Sequence, residues 1–284
     1  MTALGAASAV SGGLRRTAPA HPRAVFLLFW LSGSFLLGFV ALPLIVLSLR
    51  PSVAELLRAA GTLEVRDAIL LSVEAAFLTT VIAALLGVPL AYVLARANFA
   101  GKGIVAAVID LPLAVPHTVA GIALLMVFGR YGIVGEPAAA LFGLKFWGTM
   151  AGIVAAMLFV SAPFTVNAAR IGFEAVDPRL ERVARTLGMG PWRTLIEVTL
   201  PLSRRSIMTG ITLTYARSIS EFAAVVLLVY YPMTAPVEIY ELFLRYGLGE
   251  AAAAAVLLLF LCLILFVVLR YFAYGRHARS GEGR

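Results

Sequence analysis

Charged residues are scarce in this sequence. They make up 13% of its 284 residues, against the roughly 25% that is usual in soluble domains. Hydrophobic residues instead make up 61%, and the mean hydropathy is +0.96. This composition excludes an ordinary soluble domain and predicts an all-α membrane protein that crosses the bilayer several times.

Cysteine and histidine are also rare. The single cysteine, Cys262, excludes an intramolecular disulfide, and its apolar neighbours predict packing in the core or against lipid. The three histidines form no cluster with cysteine of the kind that binds zinc. We therefore expect neither a metal site nor another cofactor.

The sequence lacks a phosphate-binding loop. Lys102 lies between two glycines, but Arg96 occupies the position at which that motif needs its first glycine. We therefore predict that the chain does not bind ATP in that manner and is not an enzyme. The net charge is +8, but the sequence contains no basic patch interleaved with aromatic residues, as a nucleic-acid-binding surface would. It is interpreted as a topology signal in a lipid bilayer, with no nucleic-acid partner.

Six apolar stretches are long enough to cross a bilayer. They are residues 24–49, 68–94, 104–128, 148–169, 206–228 and 251–269. The first is a separate transmembrane helix, residues 68–269 are interpreted as one core domain, and residues 1–23 and 270–284 as tails. Sixteen basic residues fall in the tails and loops assigned to one side, and six in those assigned to the other. This bias predicts a multi-pass protein of the cell membrane with both termini in the cytoplasm.

The third stretch is expected to be a broken helix. Pro112 and Pro116 remove backbone donors in mid-membrane, which is tolerated where protein or a water-lined cavity surrounds the backbone. The segments between spans on the outer side are expected to be a polar loop at 50–67, a loop at 129–147 and an interfacial hairpin at 230–250.

A polar segment, residues 174–201, lies between two strongly apolar ones. Asp177 can cap a helix that begins at Pro178, and Gly188 can close that helix. Five residues recur at helical spacing and form one apolar stripe: Val176, Leu180, Val183, Ala184 and Leu187. The pattern predicts a short amphipathic helical hairpin that a partner protein contacts.

This segment resembles the coupling loop of ABC-importer permeases. The residues that match the family pattern in type and spacing are Ala184, Gly188, Val198, Leu200 and Pro201. The family's leading glutamate falls at position 182, where this chain has Arg182, and its first alanine falls at Val183. The resemblance implies that residues 174–201 are a cytoplasmic coupling loop that docks onto a separate ATPase subunit.

The docking residues are expected within the helix of this loop. The candidates are Leu180, Glu181, Arg182, Val183, Ala184, Leu187 and Gly188. We expect the apolar stripe to be shared between the ATPase and the chain's own spans, and Gly188 to have a backbone role. Glu181 and Arg182 are the polar candidates. Glu181 is also four residues before Arg185 and is expected to pair with it on the exposed face.

Two further stretches narrow the resemblance. Residues 111–125 read LPLAVPHTVAGIALL and residues 216–241 read ARSISEFAAVVLLVYYPMTAPVEIYE. Both are similar to permeases of the molybdate, tungstate and sulfate importers, above all to the archaeal-type molybdate/tungstate branch. The resemblance implies a type I importer permease fold with six transmembrane helices. It also implies a second copy of this chain, two copies of the ATPase, and an extracytoplasmic binding protein that delivers the oxyanion.

Candidates for the translocation pathway lie in the third and fifth spans. They are Pro116, His117, Thr118, Thr214, Arg217, Ser220 and Glu221. Charges in mid-membrane are costly and usually functional or paired. Arg217 and Glu221 therefore form a structural ion pair, or Arg217 contacts the passing anion. His117 lines the pathway or hydrogen-bonds the broken backbone, Thr214 serves the pore or helix packing, and Asp110 belongs to a cap or a network near the inner mouth.

Other functions stay open at this stage. Molybdate, tungstate and sulfate share charge and shape, so a permease for sulfate or another anion or solute is an alternative. A proton-driven secondary transporter using Glu221, Arg217 and Asp110 as a relay is a second one. Such carriers usually have inverted repeats and more spans, and no internal repeat is visible here.

Overall fold

The computed structural model describes residues 23–274, so residues 1–22 and 275–284 of the predicted tails lie outside it, and residues 270–274 belong to its last helix. The chain divides into two units, residues 1–50 and 51–284. In the first unit, α1 (Arg23–Leu49) is one helix of 27 residues that contains Pro43. Its residues 25–49 have a mean hydropathy of 2.3, as expected for a membrane-spanning helix.

The described secondary-structure elements of the second unit are all helices. Its helices are α2 (Val53–Gly61), α3 (Leu63–Arg96), α4 (Lys102–Ala114), α5 (His117–Phe128), α6 (Gly135–Phe142), α7 (Met150–Glu174), α8 (Pro178–Thr186), α9 (Pro191–Thr194), α10 (Leu200–Ile219), α11 (Ala223–Leu228), α12 (Ala235–Tyr246) and α13 (Leu248–Tyr274). A π-helical turn, Leu195–Thr199, joins α9 to α10.

Four helices of residues 23–274 are long and apolar enough to cross a membrane: α1, α3, α7 and α13. Helices α4 and α5 pass the same test as a pair, but they are bent by 115° where they meet. The break falls at Val115 and Pro116. Proline at this place lacks a backbone donor and disfavours helix in the residue before it. The predicted interruption of the third stretch is confirmed.

The predicted fifth span is not one helix. α10 ends at Ile219 and α11 begins at Ala223, so the break consists of residues 220–222. This break contains neither proline nor glycine, so the sequence pattern did not indicate it. Instead the Glu221 carboxylate accepts a hydrogen bond from the Ala224 backbone N–H at 2.9 Å, and this contact caps the start of α11.

Three segments that we expected to be loops contain helices. Residues 50–67 hold α2 and the first turn of α3, because Ser52 and Glu55 form a reciprocal capping box. Residues 129–147 hold α6. Residues 230–250 are not a hairpin: α12 is a single helix that runs from Ala235 to Tyr246.

The centre of the second unit is a group of three helices, α3, α7 and α10, each of which contacts the other two. Apolar side chains such as Met157 and Ile219 are buried between them. Hydroxyl groups hold α7 to α10: Thr165 and Thr214 lie 2.6 Å apart, and Ser218 donates to Ser161 at 2.9 Å. α5 packs on α11, so the two broken helices meet beside this core.

Candidate functional site

The helix of the polar segment forms as its sequence predicts. The Asp177 carboxylate accepts a hydrogen bond from the Arg179 backbone N–H at 2.8 Å, and Pro178 occupies the first turn. At the other end Gly188 has a φ of +88°. Its N–H bonds the Arg185 carbonyl and the Met189 N–H bonds the Ala184 carbonyl, which is the Schellman arrangement. Both ends of α8 are therefore fixed by local chemistry.

Glu181 faces inward, and the expected pair with Arg185 on the exposed face is wrong. Its side chain is 8% exposed, and its Oε1 accepts hydrogen bonds from Arg96 Nε at 3.0 Å and Nη2 at 2.8 Å. The Thr199 hydroxyl donates to the same oxygen at 2.9 Å. Arg96 Nη2 also donates to the Val176 carbonyl at 3.0 Å. One ion pair thus ties α8 to the last residue of α3.

The apolar stripe of α8 divides between two surroundings. Val176 and Ala184 are buried in the protein. Leu180, Val183 and Leu187 are exposed, and Leu187 is the most open at 79%. Part of the stripe therefore packs inside the protein, and the rest is exposed.

The structure brings His117, Arg217 and Glu221 together at the two helix breaks. Arg217 Nη2 lies 2.6 Å from His117 Nε2 and 2.6 Å from Glu221 Oε2. A guanidinium only donates, so His117 Nε2 is the acceptor of this contact. Glu221 is 1% exposed, whereas the Arg217 side chain is 23% exposed. The positive group therefore has an open edge while its carboxylate partner is enclosed.

A close helix contact supports this cluster. A Cβ added at Gly121 in α5 would lie 2.8 Å from Leu227 Cδ1 and 3.1 Å from the Ala223 carbonyl oxygen, both in α11. Real Cβ atoms do not approach that closely, so glycine lets the two half-helices meet. At the breaks, His117 at the start of α5 contacts Arg217 near the end of α10.

The other pathway candidates are placed differently. Pro116 and Thr118 are exposed, and so is Ser220, whose hydroxyl donates to the Arg217 carbonyl at 3.1 Å. Thr214 is fully buried and bonds Thr165 and the Ser161 carbonyl. It faces α7 inside one chain, and of the two expected roles this placement matches helix packing.

Asp110 lies on α4 and accepts a hydrogen bond from Asn167 Nδ2 of α7 at 2.6 Å. Where we expected a cap or a network near this end of the third stretch, the structure shows one side-chain contact between helices. The contact joins α4 to the central helices, and it lies apart from the hydrogen-bonded cluster of His117, Arg217 and Glu221. No relay of bonds connects Asp110 with Glu221 among the described residues.

A cavity of about 850 Å³ lies between the start of α3 and α12. Its lining contains the carboxylates of Glu64, Asp67, Glu74, Glu238 and Glu241. Burial raises the pKa of Glu238, and the hydrogen bond from Tyr230 lowers the pKa of Glu241. Arg245 pairs with Glu241 at 2.5 Å. Sequence reasoning missed this cavity because α3 and α12 are far apart along the chain, and its negative charge disfavours an oxyanion.

Comparison with known proteins identifies the chain's family. A sequence model of the family described as binding-protein-dependent transport system inner membrane component matches residues 85–278. The chain belongs to this family. Two relatives of this permease are each named molybdate/tungstate transport system permease protein WtpB. That of Thermococcus kodakarensis is 44% identical over 88% of this chain and 97% of its own length. The protein of Pyrococcus abyssi is 44% identical over 86% of this chain and 94% of its own length.

A solved structure has the same fold. The crystal structure of a bacterial ABC transporter involved in the import of the acidic polysaccharide alginate matches the permease with a TM-score of 0.72. The match covers 89% of this chain and 96% of that chain, at 16% sequence identity. At that identity the similarity establishes the fold alone. The permease is therefore an all-helical, multi-pass membrane protein with an ABC-importer fold, and the resemblance drawn from its sequence motifs is confirmed.

Proposed function

We propose that the permease forms the membrane pathway for molybdate or tungstate in an ATP-driven importer. The observation that carries this proposal is the match to relatives named as molybdate/tungstate permeases over 97% and 94% of their own lengths. Because the matched region contains both broken helices and the 174–201 loop, we assign the same division of labour to this chain. It supplies the pathway, and a separate subunit hydrolyses ATP.

Six membrane crossings fit this role. The four long apolar helices account for four of them and the bent pair α4–α5 for a fifth. We assign the sixth to the broken pair α10–α11. An even number of crossings places both termini on one side. The excess of basic residues in the tails and in the 174–201 loop assigns that side to the cytoplasm.

The 174–201 loop is the proposed contact with the ATPase. Leu180, Arg182, Val183 and Leu187 are exposed on α8 and form the contact surface. The buried residues Glu181 and Ala184 hold the helix from within, and Gly188 provides its terminal turn. When two ATPase subunits close on ATP, each draws one α8 toward the other, and the pinned helices turn the spans between inward-open and outward-open states.

Arg217 is the proposed contact for the anion. Its guanidinium is partly exposed at the break of α10–α11, with the exposed Ser220 hydroxyl beside it. Glu221 cancels its charge at 2.6 Å, so the cluster presents donors without a net positive charge. Such a site attracts a dianion weakly, and weak binding is what release across a membrane requires. Pro116, His117 and Thr118 line the same region from α5.

The proposal requires partners. We assign a second copy of the permease across the pathway, two copies of an ATPase below it, and an extracytoplasmic binding protein above it. The family description already connects its members with a binding protein. Selectivity among oxyanions of equal charge and shape lies mainly in that protein, since the pathway itself binds weakly.

Reconstitution tests the proposed function. The permease, the ATPase and the binding protein of the same organism are placed in liposomes with ATP on the ATPase side, and molybdate uptake is measured. The permease alone is expected to hydrolyse no ATP and to transport nothing. The complete system is expected to take up molybdate, with competition by tungstate and none by sulfate. Equal competition by sulfate would identify a sulfate importer. Uptake by the permease alone that an uncoupler abolishes would identify a proton-driven carrier.

A further inference from the structure

In the 174–201 loop the acidic side chains have partners within the described part of the chain, whereas several arginines do not. The loop contains four carboxylates, and each is engaged within the chain. Glu174 pairs with Arg170, Asp177 caps α8, Glu181 pairs with Arg96, and Glu197 pairs with Arg193. Three exposed arginines of α8 have no such partner among residues 23–274: Arg179, Arg182 and Arg185. The loop therefore presents positive charge to its surroundings.

These arginines share the outer surface of α8 with aliphatic residues. At 3.6 residues per turn, Glu181 and Ala184 define the buried side. Arg179 and Arg182 lie on the opposite side, and Arg185 lies on the flank next to Arg182. Leu180 and Leu187 lie together on the other flank, and both are exposed. We call the surface of Arg179, Arg182 and Arg185 the cationic edge, and that of Leu180 and Leu187 the apolar edge. The two edges run side by side along the helix.

We propose that α8 docks in a groove of the ATPase that is lined by carboxylates along the cationic edge and is apolar along the other. This inference rests on the proposed function and adds the chemistry of the partner. The one carboxylate that sits within α8, Glu181, takes no part in docking because Arg96 and Thr199 already occupy it. Arg182 and Arg185 make the charged contacts, and Leu187 fills the apolar part of the groove.

An ATPase groove fits this surface better than anionic lipid does. A helix that lies on a membrane separates a charged face from an apolar face that sinks into the headgroups. In α8 the protein itself already covers the side that carries Glu181 and Ala184, so the exposed aliphatic residues form only a narrow strip beside the arginines. The helix is also only nine residues long and is pinned to α3 through Glu181. Both features suit a protein surface with a matching pattern.

Charge reversal tests the cationic edge. The permease is placed in nanodiscs of neutral lipid, and the affinity of the purified ATPase from the same organism is measured at low and high salt. For Arg182→Glu we expect a loss of affinity of roughly tenfold or more at low salt, with less loss at high salt. Arg193→Glu is the matched control, because it changes the charge of the same loop by the same amount but at an arginine that Glu197 already holds. It is expected to change affinity little.

The outcomes separate this inference from the proposed function. If the unmodified permease does not bind the ATPase, the proposed function itself fails. If it binds and Arg182→Glu binds equally well, or if Arg193→Glu weakens binding as much, the cationic edge is not a docking contact. If the loss appears only in nanodiscs that contain phosphatidylglycerol, the arginines bind lipid and the inference is overturned.

Cross-linking identifies the opposing groups directly. The Arg182→Lys variant keeps the charge and supplies an amine that a carbodiimide joins to a neighbouring carboxylate without a spacer. In the assembled complex we expect a link between position 182 and an aspartate or glutamate of the ATPase, located by mass spectrometry. Absence of that link in a complex that still binds and hydrolyses ATP would overturn the inference.

Discussion

Arg96 and Glu181 are 85 residues apart in the chain and are joined by two hydrogen bonds, at 2.8 and 3.0 Å. The pair connects the end of α3, a long apolar helix, with the helix that we assign to the ATPase. Thr199, the residue just before α10, bonds the same carboxylate. A displacement of α8 is therefore passed to two of the three central helices through one buried acid.

The Arg96→Gln variant should uncouple ATP hydrolysis from transport. The substitution leaves the outer surface of α8 unchanged, so the ATPase still binds and hydrolyses ATP. Molybdate uptake per ATP should fall several-fold, in line with coupling energies of about 0.5–2 kcal/mol for residues that link two sites. Arg193→Gln, which removes an exposed pair in the same loop, is the control and should not change the ratio. An unchanged ratio in Arg96→Gln would show that α8 drives α3 by another route.

The Arg217–Glu221 pair should have separable structural and transport roles. Arg217→Gln leaves Glu221, which is 1% exposed, without its cation, at a cost of about 3–5 kcal/mol. We expect a lower thermal midpoint in detergent and loss of uptake. Adding Glu221→Gln removes the unpaired charge, so stability should recover while uptake should not. Recovery of both by the double variant would mean that Arg217 serves structure alone.

Thr214 should matter for stability and not for transport. Its hydroxyl bonds Thr165 at 2.6 Å and the Ser161 carbonyl at 3.1 Å within the α7–α10 interface. Thr214→Val keeps the shape and removes these bonds, each worth about 1 kcal/mol between membrane helices. The thermal midpoint should fall, and uptake per folded permease should stay the same. A change in uptake without a change in stability would indicate that Thr214 lines the translocation pathway.

Gly188→Pro should disable the loop. Proline cannot adopt the φ of +88° found there. It also lacks the N–H that bonds the Arg185 carbonyl. We expect ATPase binding and uptake to be lost together. Gly190→Ala is the matched control, because Gly190 has a φ of −67° and an added Cβ there meets nothing within 4 Å. Normal transport by Gly188→Pro would remove the loop from the mechanism.

Local sequence chemistry was sufficient for the ends of α8 and for the break at Pro116. A capping acid, a proline in the first turn and a glycine after the last turn act over a few residues, so their effect is readable without a fold. The motifs of the same loop also carried the family resemblance. The break before α5 followed from the missing donor of one proline.

Contacts between residues that are far apart in the sequence could not be predicted from local sequence patterns. Helical spacing predicts Arg185, one turn away, as the partner of Glu181, because nothing local indicates that Arg96 comes within 3 Å. The break between α10 and α11 depends on the side chain of Glu221, with no proline or glycine to mark it. The burial of Thr214 likewise depends on α7, and helical spacing cannot distinguish a packed face from a pathway.

We propose that α8 is the cytoplasmic contact through which a separate ATPase moves the permease. Leu187 is 79% exposed on α8, and Cys262 is the only native cysteine. A single cysteine introduced by Leu187→Cys in a Cys262→Ala background can therefore be probed for the side of the membrane and for cross-links to the ATPase. We expect labelling from the cytoplasmic side alone and a cross-link to the ATPase whose yield changes when ATP is added. Labelling from outside the cell, or no cross-link in a transporting complex, would contradict it.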